Sequence, residues 1–556
     1  MNKFKDTTKD FHNTLFLMLF LLIIVSFVYV KYLIYGGFSN GDDITLTLRA
    51  INEETVFSFK HYERPVSYIL FNYFHNLFKD KIFLYIFLSI FSWIFLVYLN
   101  FLILRNYLNK SALFIFILLS SFPFFSSTIV TGVHLFCSYT ISLIFWSLSV
   151  FFSINFIKNN NLFYYFIGCF FLFLAFFTNV IFLPLLIFNI FLPVLYEYKI
   201  NNNFNFKNLF LSILKFLAPV FILSIFFISY KIIGKDILGR NIIYGIAPLT
   251  IKSFFQAIYF FVAIFVEVPI LLISSLKNVL NLSSILISIL IMFYFIILRK
   301  TLSNTGNENN KKHFSKIELL FLFIALLSLV SSTLIFFISN YPAQTFGYYN
   351  RMMMPAFVSF SIILSILLSK LICKQFIILV ISFSILWILS MFVQINNHIE
   401  GWKLREYIIS DIIDNLKNEI ISEKTVLIAN VPFYNENNYN NEELFMTKWS
   451  FSDHIILYGG PSVTVWPVCY RSISDKNFYP GHNIMNNLHK IKNDSEIIYY
   501  EYVNKQNTKL IKIKDKDDLI KVLMYSTQNK INFNPIIMQE KIRIFFKNFV
   551  KNYFIA

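Results

Sequence analysis

Charge is what this chain most lacks. Asp, Glu, Lys and Arg make up 14% of its 556 residues, and 57% are hydrophobic, where soluble domains run near about 25% charged and about 45–50% apolar. That shortage excludes an ordinary water-soluble globule and predicts a polytopic membrane protein. Cysteine is scarce too: Cys137, Cys169, Cys373 and Cys469 lie far apart, with no CxxC or Cys/His spacing, so neither zinc nor a disulfide framework is expected. No GxxxxGK[ST] and no GxGxxG occurs, which argues against a nucleotide-driven pump or a kinase. Basic residues outnumber acidic ones 48 to 31, a formal net charge of +17. They punctuate apolar runs as cytoplasmic loops do, so nucleic acid is not an expected partner.

What is abundant is apolar runs of spanning length, about 20 residues each. They centre near Leu22, Phe91, Leu118, Ile144, Phe170, Leu186, Phe221, Phe265, Leu290, Leu329, Ile363 and Leu386. The first, Thr14 to Tyr35, follows Lys3, Lys5 and Lys9 and is too long for a signal-peptide core, so it is read as a retained span. A bias of Lys and Arg toward cytoplasmic loops puts the N-terminus and Arg105–Lys110 inside. Twelve crossings would then leave Arg299, Lys300, Lys311, Lys312 and Lys316 outside, against that bias. About 11 crossings repair the parity. Ser253–Leu272, with Glu267 and Pro269, is the segment expected to stay interfacial or re-entrant; the runs around Thr178 and Asn179 are the second choice. The expected fold is mainly α: a helical bundle over residues 1–396 with a first outer loop over 36–81, and a small α/β extracytoplasmic domain over 397–556. In that tail, Gly401–Ile421, Asp515–Tyr525 and Gln539–Lys551 read as helices, and Lys424–Val431, Glu496–Val503 and Thr508–Ile513 as strands.

The first outer loop holds the densest chemistry. Asp42 and Asp43 follow a span directly, and one of them suits a general base at the bilayer surface, its neighbour positioning it or raising its pKa by like-charge repulsion. Gly-Asp-Asp is also good turn chemistry. Glu63 and Arg64 close the loop, and a guanidinium there can hold a phosphate through two parallel hydrogen bonds. A second group, Tyr348-Tyr349-Asn350-Arg351, precedes the span Met354–Leu371 on the same side; Arg351 is either a phosphate ligand or an interfacial anchor in an aromatic belt. His134 in a short outer loop could touch a substrate hydroxyl. Glu267 is a functional candidate if it lies inside a span and merely solvated if it lies at the interface. Trp449, Asp453, His454 and Trp466 could line an acceptor groove, although core packing is the better reading.

An acidic pair early in the first outer loop, Glu63-Arg64-Pro65-Val66-Ser67 before the second span, Tyr349-Asn350-Arg351 leading to Pro355, and a polar outer C-terminal region resemble the GT-C superfamily of membrane glycosyltransferases. Within it the layout is most similar to the bacterial O-antigen glucosyltransferases often encoded by prophages. The resemblance covers the whole chain in layout, but its motifs are short, and many members have Asp-Glu where this sequence has Asp42-Asp43. It implies a multi-pass protein of the bacterial inner membrane with its active site and C-terminal domain on the extracytoplasmic side. The implied reaction moves a hexose, glucose by the resemblance, from a polyprenyl-phosphate donor to a glycan or lipid-linked acceptor such as O-antigen of lipopolysaccharide, with inversion. Asp42 would be the base, Arg64 and Arg351 the donor-phosphate ligands, and Glu63, His134, Tyr348 and Tyr349 substrate contacts. No cofactor or metal is expected, a divalent cation held by the two aspartates being the alternative. An O-antigen polymerase or ligase, and a lipid or glycan transporter, are the rival classes; the first carries its principal outer loop late, and the second keeps charge at mid-membrane.

Overall fold

The computed structural model describes residues 2–37, 47–48, 51–52, 64–79, 81–131, 136–201, 206–238, 251–278, 281–303, 314–339, 348–371, 376–431, 448–468, 491–492, 494–504 and 507–528. The chain forms two compact units, Met1–Tyr35 with Thr55–Ile395 and Gly36–Glu54 with Asn396–Ala556. The expected outer loop 36–81 is thus divided, its acidic first part counting with the second unit.

The first unit is helical, and each of the twelve apolar runs lies on a helix. Ten helices among the described residues are long and apolar enough to cross a membrane; Lys110–Ser120 and Leu162–Thr178 are shorter. The protein is accordingly a multi-pass membrane protein.

Side-chain contacts give each helix its direction. At one end Lys199 Nζ donates to Asn106 O (2.6 Å), and Glu318 accepts from Asn109 Nδ2 and Lys370 Nζ (2.8 Å each). Tyr294 OH donates to Phe114 O (2.9 Å), so Arg299 and Lys300, further along the same helix, also lie at this basic end. At the opposite end Tyr32 OH donates to Thr131 O and Ser67 Oγ to Thr178 O, both at 2.7 Å. The helices that these contacts join therefore alternate in direction between the basic end and the opposite end.

One long apolar helix carries the Glu267 and Pro269 that the sequence reading singled out. The stretch from Ile251–Val262 through Val268–Ser274 packs Phe260 on Phe336, and its Leu271 O accepts from Ser390 Oγ. Phe336 lies near the far end of its helix and Ser390 part-way along Ile377–Leu416, so this stretch packs from the end opposite the lysines into the bundle.

Lys110–Ser120 has 11 residues, about 16 Å of helix at 1.5 Å per residue, roughly half a hydrocarbon core. A helix that stops there leaves carbonyls with no water to donate to them. Side chains supply donors at Ser120 and Ser121, and at Leu119 and Phe122 they add to the backbone donors Phe122 N and Phe124 N. Trp387 Nε1 reaches Leu119 O (2.9 Å) and Phe122 O (3.1 Å), Trp93 Nε1 reaches Ser120 O (3.0 Å), and Tyr29 OH reaches Ser121 O (2.8 Å). Phe124 and Phe125 meet Trp387 edge-on, which fixes the indole that does the capping.

The second unit is built on a four-stranded sheet of β1 (Thr425–Asn430), β2 (Thr464–Val468), β3 (Glu496–Asn504) and β4 (Asn507–Ile513) in the order β2-β1-β3-β4. β1 runs parallel to β2 and β3, and β4 is antiparallel to β3. All six residues of β1 are buried, as a central strand covered on both faces requires. Ile408, Ile409, Ile412 and Ile413 of the helix Ile377–Leu416 cover one face through Leu427, Ala429 and Tyr500. Leu519 and Leu523 of the helix Lys516–Gln528 cover the other through Ile428, Ile497 and Tyr499. The strands expected over 424–431, 496–503 and 508–513 are present; β2 and the helix Lys448–Leu457 are additions to that reading. Gln539–Lys551 lies outside the described residues.

Candidate functional site

Three local features at the end opposite the lysines build one polar cluster in the first unit. Arg64 precedes Pro65, whose missing N–H and fixed φ suit the first position of the helix Pro65–Phe78. Tyr139 lies on a π-helical turn, Phe136–Thr140, that opens the helix Ile141–Asn159; such widened turns re-aim side chains and recur at functional sites. Arg351 lies on the 3-10 helix Tyr348–Met353, immediately before the helix Met354–Leu371, the most enclosed of the spanning helices.

These three side chains meet. Arg351 Nε donates to Tyr139 OH at 3.2 Å, and the guanidinium carbon lies 5.5 Å from the Tyr139 ring centre. Arg64 Nη1 donates to Ser138 Oγ at 3.5 Å, and its guanidinium also reaches the Tyr139 hydroxyl. Arg351 is 6% exposed, so it does not snorkel to an interface as an anchor would. Two guanidiniums around one phenol raise a positive potential where water is scarce, an arrangement that suits a phosphate.

The frame behind them comes from a break between helices. Leu162–Thr178 ends at Asn179, whose backbone is extended, and the 3-10 helix Val180–Leu185 follows. Asn179 Oδ1 accepts from Ile181 N (3.1 Å), while its Nδ2 donates to Ser138 Oγ (2.7 Å), the hydroxyl that Arg64 reaches. The carbonyls freed by the break are taken by Ser67 Oγ on Thr178 O and Ser142 Oγ on Asn179 O, both at 2.7 Å. A cap that satisfies the backbone therefore also orients the ligand of a cation.

Of the residues singled out in the sequence, Arg64 and Arg351 come together. Tyr348 and Tyr349 open the 3-10 helix that carries Arg351. Asp42, Asp43, Glu63 and His134 lie outside the described residues. Glu267 is fully buried and accepts a hydrogen bond from Tyr259 OH, so it is not the solvated residue that an interfacial position suggests. His454 and Trp466 are buried in the second unit, Trp466 in a core cluster with Ile428 and Tyr499, as core packing predicts.

Tyr139 and Ser138 escape the sequence reading, and Ser67 and Asn179 enter it without a role in the site. The signal was faint: Ser138-Tyr139-Thr140 interrupts an apolar run, and Thr178-Asn179 stands out only as a flaw in a span. No family model matches the chain, and no curated protein matches it.

Proposed function

We propose that this protein is a membrane glycosyltransferase that moves a hexose from a polyprenyl-phosphate carrier to a cell-envelope glycan such as O-antigen. The observation that supports it most is the meeting of Arg64 and Arg351 at Tyr139. The basic end of the bundle belongs in the cytoplasm by the loop-charge rule, which puts the arginine pair on the extracytoplasmic side of a bacterial inner membrane.

In this reading Asp42 takes the proton of an acceptor hydroxyl as that oxygen attacks the anomeric carbon. The bond from that carbon to the lipid phosphate breaks, its electron pair leaves with the phosphate, and the configuration inverts. Arg64 and Arg351 stabilise the charge that builds on the departing phosphate, most strongly where water is excluded. Asp43 supports the base.

Arg351→Lys tests this directly. A lysine keeps the charge but lacks the planar fork that pairs with two phosphate oxygens. The variant should insert normally, bind polyprenyl-phosphate sugar more weakly and turn over more slowly, with Arg351→Ala worse on both counts. Donor affinity and turnover of the purified variants are the measurements. Wild-type values for both in Arg351→Lys would remove the phosphate role.

A further inference from the structure

We propose that Tyr139 is a third ligand of the donor phosphate, its hydroxyl donating a hydrogen bond to the same group that Arg64 and Arg351 hold. This deepens the glycosyltransferase reading and rests on its phosphate site; the acid pair has no part in it.

Hydrogen-bond supply sets the role. A phenol has one proton to give and two lone pairs to receive with, whereas a guanidinium has five N–H donors and no acceptor. Arg351 Nε donates to the Tyr139 hydroxyl at 3.2 Å, and the Arg64 guanidinium reaches the same oxygen. Toward both cations the phenol can only accept, so its own proton goes to neither. Among the described residues no acceptor takes that proton. Ser138 beside it is engaged in the same sense: its Oγ accepts from Asn179 Nδ2 at 2.7 Å and from Arg64 Nη1 at 3.5 Å. A phosphate offers several oxygens, so one can take this O–H while others face the guanidiniums.

Burial gives the placement its force. Tyr139 is 6% exposed and lies on the π-helical turn Phe136–Thr140, where Phe136, Cys137 and Thr140 are buried as well. Packing therefore fixes the ring, which also lies 5.5 Å from the Arg351 guanidinium carbon. A fixed O–H dipole in a water-poor site stabilises charge as it develops and needs no reorganisation. As the bond from the anomeric carbon to the phosphate oxygen breaks, its electron pair stays with that oxygen and the hydrogen bond from Tyr139 strengthens. The proton stays on the phenol, so Tyr139 transfers no atom.

The test uses the full-length protein in lipid nanodiscs, with Tyr139→Phe, Arg351→Ala, the double variant and Tyr139→3-fluorotyrosine. Turnover of polyprenyl-phosphate hexose and the Kd of polyprenyl phosphate, the product lipid, are read for each. Tyr139→Phe keeps the ring and should lower turnover by about 10²-fold, the scale for removing one donor from an oxyanion site. Polyprenyl phosphate should bind it about tenfold more weakly, as for the loss of one hydrogen bond to a charged group. A phenol that merely held Arg351 in place would matter only while Arg351 is present; a phosphate ligand should cost affinity again in the Arg351→Ala background. Fluorination makes the hydroxyl a stronger donor and a poorer acceptor. At about pH 6, where a phenol keeps its proton, Tyr139→3-fluorotyrosine should bind polyprenyl phosphate more tightly than the wild type, and this variant decides the matter should Tyr139→Phe fail to fold. Wild-type turnover and Kd in Tyr139→Phe, a loss confined to proteins that retain Arg351, or a fluorinated variant that binds no tighter overturns the proposal and leaves the arginine site standing. Tighter binding in Tyr139→Phe overturns it too, since that marks a charged phenolate repelling the lipid. If the wild-type protein binds polyprenyl phosphate but transfers no sugar, the glycosyltransferase reading fails alone, and the Kd values still decide the role of Tyr139. No binding by the wild-type protein overturns both.

Discussion

The bundle and the sheet-based unit satisfy their buried backbone groups by different routes. In the bundle, indole and hydroxyl donors such as Trp93, Trp387, Tyr29, Ser67 and Ser142 are spent on backbone carbonyls where helices break. In the second unit the strands pair their own backbone, and buried polar side chains meet one another: Tyr500 OH on Asp411 (2.7 Å), Asn430 Nδ2 on Tyr499 OH (3.0 Å). Solvent explains the difference. Lipid offers no hydrogen bonds, so irregular backbone at membrane depth must be capped from within, whereas a domain in water has edges and loops to spare. The arginine pair belongs to the first kind of region and the segment carrying the acids counts with the second, so the two regions should fail differently when altered.

The largest effect expected is on chemistry. Asp42→Asn keeps shape and removes the base, so turnover should fall by about 10²–10⁴-fold, the usual scale for losing general-base catalysis. Donor affinity should persist, the reverse of what Arg351→Ala does. A loss of donor affinity in Asp42→Asn would erase the division of labour between the regions, and full turnover in it, in Asp43→Asn and in the double variant would remove the loop from catalysis.

A smaller effect tests the capping of the broken helix. Trp93→Phe keeps an aromatic ring but withdraws the N–H from Ser120 O, so thermal unfolding in detergent should show a loss of about 1–3 kcal/mol, the cost of stranding a buried acceptor. Unchanged stability would mean that this carbonyl finds another donor and that the contrast between the regions is overdrawn.

The smallest effect is a pH dependence confined to the second unit. Burial, and secondarily the Arg405 charge, push the His454 imidazole well below its ordinary range. The unfolded chain therefore takes up the proton first, at about pH 6.5. Stability owed to the neutral ring is present above that pH and is lost as pH falls below it. Unfolding of the second unit followed from pH 8 to pH 5 should show this decline, and His454→Phe should flatten it. An identical slope in His454→Phe would assign the acid sensitivity to other groups.

Much of this was legible in the sequence because it depends on periodicity and charge count. Runs of apolar residues announce spans whatever they pack against, and the lysines around Arg299 to Lys316 were enough to require an odd number of traverses. Short runs rich in β-branched and aromatic residues revealed β1, β3 and β4, whereas β2, with Pro467 inside Thr464–Val468, reads poorly as a strand. Arg64 and Arg351 were visible because charge is rare here. Tyr139 was not, because a tyrosine in an apolar run looks like any other aromatic until a π turn aims it at two cations 75 and 212 positions away in the chain.

By itself, then, the sequence determined that the chain crosses a membrane many times, which end of each helix is basic, and that a water-facing α/β unit follows, since these are matters of transfer free energy summed over local windows. Only the tertiary structure decided that Lys110–Ser120 stops halfway with the Ser120 carbonyl capped by Trp93, and that Arg64 and Arg351 meet at Tyr139. Each of those depends on a partner far away in the chain, and a hydrogen bond of fixed length and direction leaves no trace in composition or period.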